Sequence, residues 1–177
     1  MRQKLLVFSI ALAGLTAVAC DDDDDVTNIQ PVSKIVTFRA TMSGANEVPA
    51  NTSAGTGTFT ATLDTSTNVF TWNATVSGLS ANINNGHIHG PAAAGVNAGV
   101  ILNFNPATNQ IPGSTFTGFG TAPAGTATGT ITLGSNAITP TVSGDSLKKL
   151  LLAGLTYVNI HTTAIPAGEV RGQIVKQ

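Results

Sequence analysis

The chain has 177 residues, of which 42% are hydrophobic and 10% are charged, and its formal net charge is −1. This length suits a single domain with a sizeable core. The absence of any basic cluster interleaved with aromatic residues excludes a nucleic-acid partner, and a single cysteine excludes an intrachain disulfide.

Residues 1–19 have the pattern of a secretory signal peptide. Arg2 and Lys4 precede an apolar stretch, residues 5–18, which is too short for a comfortable membrane span. Cys20 follows Ala17–Ala19 and resembles the lipidated cysteine of bacterial lipoproteins, although alanine stands at 17 where leucine is commonest. The resemblance implies that Cys20 becomes a lipidated N-terminus that anchors the protein to a membrane. The same residues also fit an ordinary signal-peptidase site, which would leave a free exported thiol.

Five consecutive aspartates, Asp21–Asp25, follow the cysteine. Like charges in a row repel one another and do not pack, so residues 20–34 are predicted to be the anchor and a solvated tether. Acidic residues at this place resemble the export signals of some Gram-negative lipoproteins, whereas in other lineages an aspartate there resembles an inner-membrane retention signal. The expected location is the cell envelope, at the outer membrane or the cell surface.

The remainder, residues 35–177, is predicted to be one all-β domain. Short runs of Thr, Val, Ile and Phe are broken by Gly, Pro, Asn and Ser, which is typical of strands and turns. The predicted strands cover residues 35–43, 57–63, 69–76, 99–104, 126–133, 156–161 and 168–175. Trp72 is the expected large core residue of its strand, and residues 105–125 are expected to form a long loop with one short strand. Many short antiparallel strands favour a β-sandwich.

One segment departs from this pattern. Residues 145–153 are rich in leucine and lysine, with the leucines on one helical face. Ser143 or Asp145 is a suitable N-cap, and Gly154 a suitable C-terminal residue. The segment is therefore predicted to be one short helix that packs over an end of the sandwich.

The three histidines of the chain are concentrated in two short segments. His87 and His89 form a His-x-His step, and His161 lies near the end of residues 156–161. Side chains alternate between the faces of a strand, so His87 and His89 share a face. The same alternation places His161 and Glu169 opposite the apolar residues of their own strands. All four side chains are therefore expected outside the core, or in a cleft on the other face of the sheet.

Imidazole groups in this arrangement are typical metal ligands. We interpret His87, His89 and His161 as candidate ligands of Cu or Zn, with Glu169 as a fourth ligand or as an acceptor that orients a histidine. The alternative is that the histidines anchor loops by hydrogen bonding and that Glu169 forms an ion pair with Arg171. Both alternatives remain open at the level of the sequence.

Other polar residues indicate a structural cluster and no recognisable catalytic motif. Glu47 is one of few acidic residues in the domain, and it either pairs with Arg171 or is solvated in a loop. Asn159 shares the face of these residues by alternation. No Gly-x-Ser-x-Gly turn is present, and no general acid or base besides Glu169 is evident near the histidines. A non-enzymatic role is therefore favoured.

Four ordered motifs resemble the CHRD domain, which is named after chordin and is common in secreted bacterial proteins. The motifs are Ser43-Gly44-Ala45-Asn46-Glu47-Val48-Pro49, His87-Ile88-His89-Gly90-Pro91, Tyr157-Val158-Asn159-Ile160-His161-Thr162 and Pro166-Ala167-Gly168-Glu169-Val170-Arg171-Gly172-Gln173. The resemblance implies an antiparallel β-sandwich of immunoglobulin-like outline that acts outside the cytoplasm. It implies little about activity, and the leading interpretation is a binding or interaction module whose partner is an unidentified protein or glycan. An envelope protein that binds Cu or Zn is the alternative, and a metalloenzyme is the third.

Overall fold

The structure is a computed structural model that describes residues 34–105, 114–135 and 137–177. The predicted signal peptide, Cys20 and the predicted aspartate tether lie outside the described residues. The described part is all-β with one short helix, which confirms the predicted fold class. Its strands are β1 (Ile35–Ser43), β2 (Thr56–Asp64), β3 (Val69–Ser77), β4 (Ile83–His89), β5 (Val100–Asn103), β6 (Thr115–Thr117), β7 (Gly125–Thr132), β8 (Ala137–Thr139), β9 (Val142–Ser143), β10 (Thr156–Thr162) and β11 (Val170–Lys176).

Nine of the described strands form one antiparallel sheet in the order β5-β4-β10-β11-β1-β2-β3-β7-β6. The last two strands, β10 and β11, form an antiparallel pair, with Val158 opposite Gly172. The sheet is hydrogen-bonded continuously through β1, which pairs with β11 on one side and β2 on the other. The strands β8 and β9 form a separate small hairpin, which is not among the predicted strands.

The sheet curls so that one face encloses the core. Trp72 on β3 is 2% exposed, as predicted, and its ring stacks on Phe104, which follows β5, at 6.1 Å between centroids. Phe104 in turn contacts Phe116 of β6 at 6.4 Å. Since β5 and β6 stand at opposite ends of the strand order, these contacts bring the two halves of the sheet face to face, as in a sandwich.

The outer face of β1, β2, β3 and β7 is lined with threonine. Alternation buries every second residue of β1 and leaves the residues between them exposed. Registers place Thr37 opposite Thr62, Thr62 opposite Thr71, and Thr71 opposite Thr130. Threonine suits these positions because a β-branched side chain packs on the pleated surface while its hydroxyl stays in water.

The helix α1 (Gly144–Leu152) lies close to the predicted position, residues 145–153. Ser143 caps it, since its side chain accepts a hydrogen bond from the Ser146 N–H at 3.2 Å. Leu147 and Leu151 are fully buried against the core. Within the described part of the chain, no helix is long and apolar enough to cross a membrane.

Candidate functional site

The candidate site lies on the outer face of β4, β10 and β11, which are neighbours in the sheet. Asn159 of β10 stands opposite His87 of β4 on one side and opposite Arg171 of β11 on the other. One register step along, Tyr157 faces His89. The backbone of β10 thus places polar side chains on this face, while its alternate residues face the core.

Two loops cover this polar face. The Arg171 guanidinium donates to Asn97 Oδ1 at 2.8 Å and to the Val96 carbonyl at 2.6 Å, and the Gln173 side chain donates to the Ala92 carbonyl at 2.9 Å. Asn97 also donates to the Val48 carbonyl at 2.9 Å, which joins the two loops. The face is therefore an enclosed polar layer. Of the two predicted alternatives, the side chains lie in a cleft and not on an exposed surface.

The structure brings the three histidines together. His87 and His89 are 7% and 8% exposed, and His161 is partly exposed. One ring nitrogen from each residue lies within 4.8 Å of the corresponding nitrogens of the other two. The closest pair is His87 Nδ1 and His161 Nε2, at 3.0 Å. Three imidazoles that converge in this way have the composition of a transition-metal site.

Hydrogen bonds to backbone carbonyls fix the orientation of two of the rings. His89 Nδ1 lies 2.9 Å from the Ala98 carbonyl, and His161 Nδ1 lies 2.9 Å from the Pro166 carbonyl. Because a carbonyl only accepts, each Nδ1 carries the proton and each Nε2 keeps its lone pair in the neutral ring. His89 Nε2 is buried and has no hydrogen-bond partner among the described residues. This is the tautomer that metal-binding histidines adopt when the other nitrogen is held by an outer acceptor.

The environment keeps the rings neutral. Burial lowers the pKa of His87 to about 3, with the neighbouring His161 and His89 as lesser causes. Burial also lowers the pKa of His89 and of His161, although the Ala98 and Pro166 carbonyls act in the opposite direction. Neutral imidazole is the form that coordinates a metal, so these histidines do not have to release a proton before they bind one.

An aromatic stack connects the histidines to Arg171. The His89 and Tyr157 rings are parallel with centroids 4.8 Å apart, and the Arg171 guanidinium carbon lies 3.4 Å from the Tyr157 centroid on the neighbouring strand. Arg171 is 2% exposed. A buried guanidinium over an aromatic ring gains a cation–π contact that offsets part of its desolvation.

Glu47 is the acidic member of the polar layer. It is 8% exposed, and burial raises its pKa to about 7, although the charge of Arg171 and hydrogen bonds from Val48 and Asn159 act to lower it. Its Oε1 atom is buried without a partner in the described part of the structure. The predicted cluster of Glu47, Asn159 and Arg171 is thus brought together, and the solvated-loop alternative for Glu47 is wrong.

A comparison with protein families decides the family. The model of the CHRD domain matches residues 38–174. The chain belongs to the CHRD family. No curated protein matches it. The matched residues include both covering loops, β4, β10 and most of β11, which carry the polar layer of the CHRD domain.

In this CHRD domain the predicted place of Glu169 needs correction. Its carboxylate is fully buried and accepts hydrogen bonds from Ser53 Oγ at 2.6 Å, Ser80 N at 2.6 Å, Ser80 Oγ at 2.9 Å and Thr162 Oγ1 at 2.5 Å. It is not part of the histidine cluster. Over residues 34–105, 114–135 and 137–177 it forms no ion pair with Arg171 either, because the guanidinium bonds to Asn97 and Val96 instead.

The reason lies in the residue that precedes Glu169. Gly168 has φ +132°, so the regular alternation of β11 begins only at Val170. Burial alone would raise the pKa of Glu169, but hydrogen bonds from Ser53, Thr162 and Ser80 together lower it below its usual value. The carboxylate is therefore held ionised as a structural link between loops.

Sequence reasoning missed several residues of the CHRD domain that complete these arrangements. Tyr157, the single tyrosine of the chain, lies on the same face of its strand as His161. That alternation is the one sequence feature that could have indicated its stacking on His89. Ser53, Ser80 and Asn97 lie in loops outside the predicted strands. No periodic pattern marks such residues, since their roles depend on how distant loops meet.

Proposed function

We propose that this protein is an exported, lipid-anchored CHRD module of the cell envelope that binds one transition-metal ion through His87, His89 and His161. A single observation carries the metal assignment: three imidazoles, two of them buried and one partly exposed, offer ring nitrogens within 4.8 Å of one another. Two of these rings are oriented by carbonyl acceptors, which is how proteins commonly prepare histidine ligands.

The donor set favours Cu or Zn. Three neutral nitrogen ligands without a carboxylate suit these borderline ions better than Mg or Ca, which prefer oxygen. Three protein ligands also leave a further coordination position for water or an external ligand. When bound, the ion would supply Lewis acidity or, for copper, redox chemistry, while His89 and His161 remain oriented by Ala98 and Pro166.

The alternative is a binding module whose histidines are purely structural. The 3.0 Å contact between His87 Nδ1 and His161 Nε2 favours it, because a hydrogen bond between these nitrogens already satisfies both rings. Under this alternative the module would act through a protein or glycan partner, and the polar layer would only hold the loops in place.

The first test measures bound metal in the purified chain without a histidine tag. We expect about one equivalent of Cu or Zn per chain after loading and removal of excess metal. The variants His87→Ala and His161→Ala should each weaken binding by about a hundredfold, since each removes one of three protein ligands. For Cu(II), electron paramagnetic resonance should show nitrogen ligands that are lost in the same variants.

The matched control is Asn73→Ala, which changes an exposed polar side chain on the outer face of β3. It should bind metal as the unmodified chain does. Absence of bound metal and of any thermal shift with Cu or Zn would contradict the metal assignment and favour structural histidines.

A further inference from the structure

We propose that the histidine site selects copper as Cu(I) over Cu(II) and Zn(II), and that the buried charge of Arg171 contributes to this preference. This rests on the proposed function, because it concerns the ion that His87, His89 and His161 bind, and it goes further by naming the charge of that ion. Two features of the described structure carry it. The ligands bring no negative charge, and a permanent positive charge lies beside them.

The set of candidate ligands is neutral. Each imidazole offers an uncharged nitrogen, and no carboxylate or thiolate joins the group in the part of the chain that the structure describes. The Tyr157 hydroxyl is not free to act as an anionic ligand, since it accepts from the Ala98 N–H at 3.2 Å and donates to the Ala98 carbonyl at 3.3 Å. A bound ion would therefore keep its full charge beside three ligands, two of which are buried.

A neutral and poorly solvated ligand set penalises divalent ions. The free-energy cost of taking an ion out of water rises with the square of its charge, and anionic neighbours would be needed to offset it. Cu(II) and Zn(II) carry twice the charge of Cu(I). They also favour four or more ligands, in tetragonal and tetrahedral arrangements, whereas three nitrogen ligands suffice for Cu(I). Imidazole itself binds all three ions, so charge and ligand number make the choice.

Arg171 adds a positive charge to the same polar layer. Its guanidinium carbon lies 3.4 Å from the Tyr157 centroid, and the Tyr157 ring stacks on His89 with centroids 4.8 Å apart. Arg171 is 2% exposed and stays charged, so water screens it little. Its hydrogen-bond acceptors, Asn97 Oδ1 and the Val96 carbonyl, are both neutral. A cation so close to a ligand ring repels a divalent ion more strongly than a monovalent one.

The acidic residues of this region do not offset that charge at the histidines. Burial raises the pKa of Glu47 to about 7, so this residue keeps its proton in mildly acidic solution beside Arg171. The ionised carboxylate of Glu169 accepts from serine and threonine donors outside the cluster. Over the described residues, the causes that shift the pKa of the three histidines include no carboxylate. The electrostatic environment of the site therefore favours the ion of lower charge.

The test measures three dissociation constants for the purified chain without a histidine tag, at about pH 6. Cu(I) is measured without oxygen, with ascorbate present and bathocuproine disulfonate as competitor; Cu(II) and Zn(II) are measured without reductant, against glycine and a chromophoric zinc chelator. We expect Cu(I) to bind at least about tenfold more tightly than either divalent ion. Equal or tighter binding of Cu(II) or Zn(II) would overturn this inference and leave the proposed metal site standing. Absence of binding for all three ions would contradict the proposed function as well.

Variants test the part that Arg171 takes. Arg171→Met removes the charge and keeps an apolar stem, so the ratio of Cu(I) to Cu(II) affinity should fall by about tenfold. Arg171→Lys keeps the charge and should keep most of the ratio. Arg39→Met is the matched control, because it removes the same charge from an exposed position on β1, and it should leave the ratio unchanged.

The ratio separates an electrostatic role of Arg171 from a structural one. Loss of loop packing alone would weaken the binding of both copper ions alike, and the ratio would then stay constant. An unchanged ratio in Arg171→Met, or an equal fall in Arg171→Lys, would overturn the role assigned to Arg171. The competition in the unmodified chain needs no variant, so it decides the preference for Cu(I) even where a replacement at this buried position prevents folding.

Discussion

Glu169 joins three separate parts of the chain at a single carboxylate. Ser53, Ser80 and Thr162 donate to it, and they are 116, 89 and 7 residues away in sequence. Hydrogen bonds to an ionised and buried acceptor are stronger than neutral ones. Glu169 therefore stabilises the packing of the loops at this end of the domain.

Replacing Glu169 with glutamine tests this role. The amide keeps the shape but presents an N–H₂ group to donors, so we expect the free energy of unfolding at pH 7 to fall by about 3 kcal/mol. Because the folded-state pKa lies below the ordinary 4.5, the stabilisation is present above pH 4.5 and is lost as the pH falls through the folded value. Urea unfolding at several pH values measures the difference in unfolding free energy between the variant and the unmodified chain, and this difference should become smaller in acid.

Glu47→Gln is the contrasting variant. The pKa of Glu47 is raised from 4.5 to about 7, so the folded protein holds this proton and its contribution to stability is lost as the pH rises through 7. A glutamine cannot ionise, so the variant should gain on the order of 3 kcal/mol relative to the unmodified chain between pH 4.5 and pH 8. If the effect of both substitutions on the free energy of unfolding changed with pH in the same direction, the assigned protonation states of Glu169 and Glu47 would be contradicted.

These two acids also show what the sequence can predict at this scale. Alternation placed His87, His89 and His161 on one face, and the pairing of β4 with β10 keeps His87 opposite Asn159 and His89 opposite Tyr157. It failed at Glu169 because Gly168 interrupts the strand. It also could not show that loops cover the polar face, since loop positions depend on contacts between distant residues.

At the scale of elements, β3 and β7 pack closely because one residue of β7 has no side chain. Gly129 of β7 stands opposite Trp72 of β3, and a Cβ at this glycine would overlap the Trp72 indole. The absence of a side chain lets the largest aromatic ring lie flat beneath β7. This close approach sets the stacking of Trp72 between Phe70 and Phe104, at 5.7 and 6.1 Å.

The Gly129→Ala variant should therefore be unstable. Overpacking against a rigid indole should lower the free energy of unfolding by about 3 kcal/mol, with a loss of native tryptophan fluorescence at lower urea concentration. Thr130→Ala is the matched control on the exposed face of the same strand, and it should change stability by less than about 1 kcal/mol. Equal stability of the two variants would show that the core accommodates the added methyl group.

The elements differ in how well the sequence predicted them. Apart from β4, for which no range was predicted, the long strands agree to within about two residues at each end, because several consecutive alternations define them. The strand β1 agrees in full, at Ile35–Ser43. By contrast, β8 and β9 have three and two residues, which is too short for a periodic signal.

At the scale of the whole molecule, Cys20 decides the proposed attachment to a membrane. Cys20→Ser removes the only thiol that could be lipidated, so the protein should move from the detergent-extracted membrane fraction to the soluble fraction of the producing cell. Asp25→Asn keeps the cysteine and should remain with the membrane. Mass spectrometry of the N-terminus checks the chemistry directly, and an unmodified Cys20 would contradict the anchor.

The carboxylate of Glu169 also bears on the chemical durability of the molecule. Exported domains often hold distant loops together with disulfides, but a chain with one cysteine cannot form one internally. Here a single ionised side chain joins residues 53, 80 and 162 by hydrogen bonds. Such a link does not respond to thiol reductants or oxidants, and it re-forms whenever the chain refolds above the carboxyl pKa. The domain accordingly has a reversible, hydrogen-bonded link between its loops, which acid weakens and which changes in redox potential do not affect.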